Sequence, residues 1–290
     1  MKLKSFKNLF FFFLLAIIFS GCATIGPDLP QDETVSYQEK IFSHDQFDAV
    51  LARSVDNQGK VDYRLLKENH QDLDAYLHQV AAVSPDSHPE LFLTQDHKLA
   101  YWINAYNAYV IKAVLVHFPI KSVLDIEPPA LLFFLPDTAG FFLFQRFEFG
   151  GKTTNLYYLE NKVIRKRFQD PRIHFAVNCA SISCPHLPQK AFTGHRLDDQ
   201  LQAETLKFLS QDRNVRIDHE NETIWLSSIF NWYESDFKDP SGQNQQNDGS
   251  PLISYILNHS PPDKADELKE VADKYSIEFI PYDWLLNNRD

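Results

Sequence analysis

The sequence predicts an α+β fold with one central helix packed on a small, mostly antiparallel sheet. Three observations predict it. A single long helix stands out between residues 96 and 117, the short strand patterns come in hairpin pairs, and helical segments outnumber strands without a regular β-α-β alternation. The central segment "DHKLAYWINAYNAYVIKAVLVHF" carries Leu99, Ile103, Tyr106, Val110, Ala113 and Val114 on one stripe. Asn104, Asn107 and Ile111 lie on the next stripe, so nearly the whole circumference is apolar, as in a buried helix. Pro119 ends it.

From the N-terminal side, "SHDQFDAVLARSV" spaces Phe47, Val50 and Leu51 as a helix, with Ser43 or Asp45 as cap. "VDYRLLKENHQDLDAYLHQVAAV" reads as two short helices, and "SPDSHP" from Ser84 breaks the chain. "ALLFFLPDTAGFFLF" reads as a loop packed on the body or covering a groove, because so apolar a stretch is seldom left bare. "FQRFEFGGKTTNL" alternates about Gly150-Gly151 and predicts a hairpin. Asn155 caps a helix that ends before Asp170-Pro171, and "RIHFAVN" predicts a strand. Residues 197–210 form an amphipathic helix, and "VRIDHENETIWLS" forms a hairpin turning at Glu220-Asn221. Residues 251–259 and 263–274 are helical, and "IEFIPYDW" is a closing strand. Neither repeats nor a second core are expected, so residues 43–290 read as one domain.

The N-terminus has its own logic. "MKLKSFKNLFFFFLLAIIFSGC" places lysines before an apolar run from Leu9 to Phe19 that is too short to span a bilayer stably. Its ending resembles a bacterial lipoprotein signal. The resemblance implies cleavage after residue 21, a diacylglyceryl group on Cys22, and residues 22–42 as a polar tether. It places the protein in the cell envelope, on the periplasmic face of the outer membrane. A membrane is thus the expected partner through the lipid. The formal net charge of −11 argues against nucleic acid.

Four stretches, "YWINAYNAYVIKAVL", "YLENKVIRKRF", "DPRIHFAVNCASISCP" and "PYDWLLN", together resemble one bacterial family, domain of unknown function 547, over roughly residues 45–287. The family is in turn distantly similar to the papain and transglutaminase group of thiol enzymes, a fold-level analogy. Many of its members carry Glu-His where this chain has Glu160-Asn161.

The segment "HFAVNCASISCPH" holds the chemistry. A thiol enzyme needs a thiolate, an imidazole to generate it, and a group that orients the imidazole. Cys179 is the candidate nucleophile, His174 the base and Glu160 the orienting partner. Asn178 and Ser181 are candidate oxyanion donors, with Asn104 and Asn107 lining the same groove. In an extended strand His174, Ala176 and Asn178 share one face, so Cys179 reaches His174 only if the chain bends after Asn178. A Cys179–Cys184 disulfide in an oxidising compartment, or two buried thiols, are open alternatives. The first alternative makes the domain a non-catalytic module that binds a peptide or another envelope protein. No metal site or cofactor is expected, since Cys-x4-Cys lacks the paired spacing of zinc ligands. Tyr233, Trp232 and Trp284 pack at the core edge or form an aromatic wall. Arg165, Lys166 and Arg167 form a solvated face paired with acids. His44, His70, His78, His88 and His97 read as surface residues.

Overall fold

A computed structural model describes residues 24–26, 41–238 and 250–289. Cys22 and the signal segment lie outside the described residues, as do residues 27–40 of the expected tether. Helices α1 (Asp45–Ser54), α2 (Tyr63–Glu68) and α3 (Gln71–Ala82) lead to the central α4 (Gln95–His117). A short turn at Ala139–Phe142 precedes the hairpin β1 (Phe147–Phe149) and β2 (Lys152–Thr154). Helix α5 covers residues 156–168 and contains a π-helical stretch, Leu159–Ile164. Then come α6 (Leu197–Ser210), β3 (Val215–Asp218), β4 (Thr223–Ser227), α7 (Ser228–Trp232), α8 (Pro251–His259), α9 (Pro262–Val271) and β5 (Ser276–Ile280). The α+β class is as the sequence predicts.

Thr94 opens α4 by accepting a hydrogen bond from the His97 amide, and residues 99–115 are buried all round. Tyr109 packs against Phe147 and Phe149 at 5.0 and 4.9 Å and donates to the Glu148 carbonyl. The hairpin turns at Gly150 and Gly151, whose φ angles of +55° and +76° suit glycine. Their amides bond the carbonyls of Val80 and Ala81 at the end of α3. A β-carbon at Gly150 would come within 2.2 Å of Ser84 Oγ, so the turn is closed to larger residues.

The buried apolar side chains fall into two clusters rather than the single core expected. The first surrounds α4. The second gathers Phe175, Phe208, Phe230, Phe237, Ile256 and Leu268 with the strands β3, β4 and β5. β4 pairs antiparallel with β3 and parallel with β5, so the closing strand is not part of an antiparallel meander. α6 contributes Leu201 to the first cluster and Phe208 to the second. Ile173 and Phe175 are divided the same way, which places the intervening His174 at the seam.

The tether also departs from expectation at its described end. Thr24 bridges Arg146, the Ile25 amide bonds the Arg146 carbonyl at 2.6 Å, and Ile25 is buried in the first cluster. An apolar side chain at position 25 gains more by burial than a solvated tether offers. His44 is likewise buried beside Tyr76, and burial, with the neighbouring His97, brings its pKa down to about 3. Arg165 and Arg167 pair with Asp236 and Asp86, as the basic run leads one to expect.

Candidate functional site

The segment before the cysteines is not a strand. Asp170 caps a 3₁₀ turn, Pro171–Phe175, by accepting from the Arg172 amide at 2.9 Å, and Pro171 occupies its first turn. The Ile173 amide bonds the Asp170 carbonyl and the Ala176 amide the Ile173 carbonyl, the i to i+3 pattern that a strand lacks. The shared face assigned to His174 and Asn178 therefore does not exist. Asp170-Pro171 is a helix-start signal that outweighs the β-branched and aromatic composition after it.

Two asparagines of α4 hold the chain on the far side of this turn. Asn107 donates to the Ala176 carbonyl at 2.9 Å and accepts from the Asn178 amide at 2.8 Å. Asn104 makes the same pair of bonds to Phe192, at 2.7 and 3.0 Å. Both side chains are spent on backbone, and neither lines the cleft beside the cysteines. The Asn178 side chain donates to the Pro185 carbonyl and accepts from the Ala180 amide, closing the cysteine turn instead of presenting a donor to a ligand. The chain does bend after Asn178. Ala180 has φ +63°, a left-handed conformation that a non-glycine residue adopts only when its surroundings enforce it.

Cys179 and Cys184 form a disulfide, with sulfurs 2.12 Å apart. The Tyr282 hydroxyl lies 3.0 Å and the Ser181 hydroxyl 3.3 Å from Cys179 Sγ. Ser181 thus faces the sulfurs and Tyr282, to which it donates at 3.1 Å.

His174 and Cys179 line one cleft of about 520 Å³, and no hydrogen bond joins them. Glu160 lines it too, but does not orient the imidazole. Its two oxygens accept from the hydroxyls of Tyr106, at 3.0 Å, and Tyr233, at 2.7 Å. The π-helical stretch carries Glu160 and Asn161 into the cleft, a register change often found at functional sites. Asn161 accepts from Arg165. The partner of His174 is Asp236, whose Oδ2 lies 2.8 Å from Nε2 and 2.6 Å from Arg165 Nε. Tyr233 stacks on the imidazole at 4.1 Å, and the Arg165 guanidinium lies 4.5 Å over the same phenol. Trp232, Tyr282 and Trp284 complete a wall with centroids 4.5 to 5.9 Å apart.

Burial, then the Glu160 carboxylate, pushes the Tyr106 and Tyr233 hydroxyls well above the ordinary phenol value, so both stay protonated donors. Burial alone would raise the Asp236 carboxyl. The hydrogen bonds from His174 and Arg165, with the Arg165 charge, outweigh it and hold that carboxyl well below the usual range. A depressed carboxyl adds stability above its unfolded pKa of about 4 and loses it as pH falls toward the folded value. The stability gap between the parent chain and Asp236→Asn, read as the difference in thermal midpoints, is expected to narrow on acidification from neutral to about pH 2. A gap that stays constant would rule out the ionised carboxylate as its source.

Asp236 has no signal in the sequence, since 62 residues separate it from His174. Tyr282 is 103 residues from Cys179. Only a tertiary contact reveals either. Among the described residues no group of three or more His, Cys, Asp or Glu is disposed to hold a metal ion.

Residues 91–209 match the family model described as "Protein of unknown function, DUF547". These residues are a DUF547 domain. The match is narrower than the span over which the sequence resembles the family, and it divides the cleft. Tyr106, Glu160, His174 and the disulfide lie within the DUF547 match, whereas Asp236 and the Trp232, Tyr282 and Trp284 wall lie beyond it. No curated protein and no solved structure matches the chain.

Proposed function

We propose that the chain is a lipid-anchored envelope protein, held at the periplasmic face of the outer membrane through Cys22, whose cleft binds a peptide segment of another envelope component. The cleft itself carries this reading. Its volume of about 520 Å³ falls in the range of ligand sites, and it joins an aromatic wall to a few fixed polar groups. Both sulfurs are bonded to each other, so the site offers rigid recognition surface and no thiolate. The Glu160 carboxylate and the Tyr106 and Tyr233 hydroxyls already satisfy one another, which favours a surface that recognises shape and aromatic contact. Peptides selected from a random library on the full chain are expected to lose about tenfold in affinity for Trp232→Ala, as an exposed aromatic anchor would give. Peptides that bind the variant equally well would refute the cleft as their site.

One observation favours a second reading, a thiol-dependent hydrolase or transferase acting on an amide or ester. Cys179 and His174 share the cleft, and Asp236 fixes Nε2 while Nδ1 has no hydrogen-bond partner among the described residues. Cys179 would be the nucleophile and His174 the base, after a dithiol reductant opens the bridge. Asn161, where many family members carry histidine, counts against it. Thiol titration of the unreduced, unfolded protein separates the two readings. The binding reading expects neither Cys179 nor Cys184 to react. Rapid alkylation of Cys179 in the unreduced native protein at about pH 6 would establish a low-pKa nucleophile and overturn it.

A further inference from the structure

Beyond the cleft, the largest unexplained feature is the loop between Ile126 and Phe142. The sequence predicts that it packs on the body or covers a groove, yet Leu131, Phe133 and Phe134 are 55%, 87% and 70% exposed. The loop is not a loose tail. At its neck Gly140 lies so close to the opposite strand of the loop that a β-carbon there would come within 1.7 Å of the Ile126 carbonyl. Beyond the neck, backbone bonds from Leu132 to Pro129, Leu135 to Leu132 and Ala139 to Pro136 fix successive turns. Ala139 and Phe141 are buried at the base. The segment 128–135, "PPALLFFL", has no charge. A hydrogen-bonded platform therefore holds three large apolar side chains in water, an arrangement that marks an interaction surface.

The occupant is indicated by where the chain enters. Thr24 and Ile25 pair with Arg146, four residues after Phe142, and Ile25 is buried. Cys22 is two residues before Thr24, about 7 Å of extended chain at most. A lipid on Cys22 and the apolar loop thus share one root in the fold. We propose that residues 130–135 insert Leu131, Phe133 and Phe134 into the interface of the bilayer that holds the lipid, an inference that rests on the anchor proposed for Cys22. The uncharged tip on an acidic chain suits a zwitterionic phospholipid surface and gains by burial of apolar area. Pro136, Thr138 and Phe142 of the same loop line the cleft, so its mouth opens beside the membrane.

The test uses the full chain purified from the envelope and reconstituted into phosphatidylcholine vesicles with brominated acyl chains. Tryptophan is placed at Phe133→Trp or, as a control on α6, at the exposed Leu206→Trp. Relative to the parent chain, about half of the added emission at position 133 is expected to be quenched, as for a ring about 5–10 Å below the headgroup boundary, and none at position 206. Acylated Cys22 by mass spectrometry with unquenched Trp emission at 133 overturns the proposal and leaves the anchor standing. An unacylated Cys22 overturns the anchor and the proposal together. Emission at 133 that is unquenched in vesicles but shielded from acrylamide in intact envelopes identifies a protein cover instead, and also overturns it.

Discussion

Replacing Lys112 by methionine is expected to destabilise the fold by about 3–5 kcal/mol. Lys112 Nζ lies 2.8 Å from Asp74 Oδ1, with side chains 5% and 1% exposed, and His70 approaches the other oxygen at 2.6 Å. The pair joins α3 to α4 in the interior of the first cluster. Removing the ammonium leaves a buried carboxylate whose remaining partner is a half-exposed imidazole, and that uncompensated charge is what costs. The double change Lys112→Met with Asp74→Leu removes both desolvation penalties and is expected to recover at least half of the loss. Urea unfolding of the parent and the two variants measures it. A single Lys112→Met variant within about 1 kcal/mol of the parent would show that the pair contributes little.

Asn107→Ala is expected to cost about 2–6 kcal/mol. The loss comes from two buried backbone groups, the Ala176 carbonyl and the Asn178 amide, each left without its partner at about 1–3 kcal/mol. The consequence is local as well as global, because these groups lead directly into the cysteine turn. Amide exchange at Asn178 should rise more than at residues of α6, since the hydrogen bonds of Asn107 go to Ala176 and Asn178. Equal acceleration in both places would mean that the asparagine stabilises the fold without positioning the turn.

How much of the molecule is legible in the sequence depends on the range of each interaction. The central helix is legible because its apolar stripes and its proline stop are local. So are the hairpin at Gly150-Gly151 and the Asn155 cap, which accepts from the Tyr158 amide at 2.7 Å. The asparagines of α4 stand out as polar groups in an apolar helix, yet whether they face a ligand or backbone depends on Ala176 and Phe192, distant in the chain. The 171–175 turn is misread as a strand when composition is weighed above Asp170-Pro171. The π-helical register that turns Glu160 toward two tyrosines has no local signature in "LENKVI". Nor does the parallel pairing of β4 with β5, which joins Thr223 to Ser276. The second apolar cluster is built on that pairing, and side chains packed in both clusters, Tyr106 in the first and Ile229 in the second, line the cleft.

Among the described residues, the segment 285–289 makes the most distant connections in the chain. Leu286 bridges Ser181, Asn288 bridges Val61, and Asn287 accepts from the Tyr63 hydroxyl at 2.8 Å across 224 positions. During synthesis, then, the first three helices and the cysteine loop emerge long before the strip that fastens them to each other. Only 5 positions separate Cys179 from Cys184, so the bridge closes a loop that does not include that strip. Crosslinking is consequently free to precede final assembly.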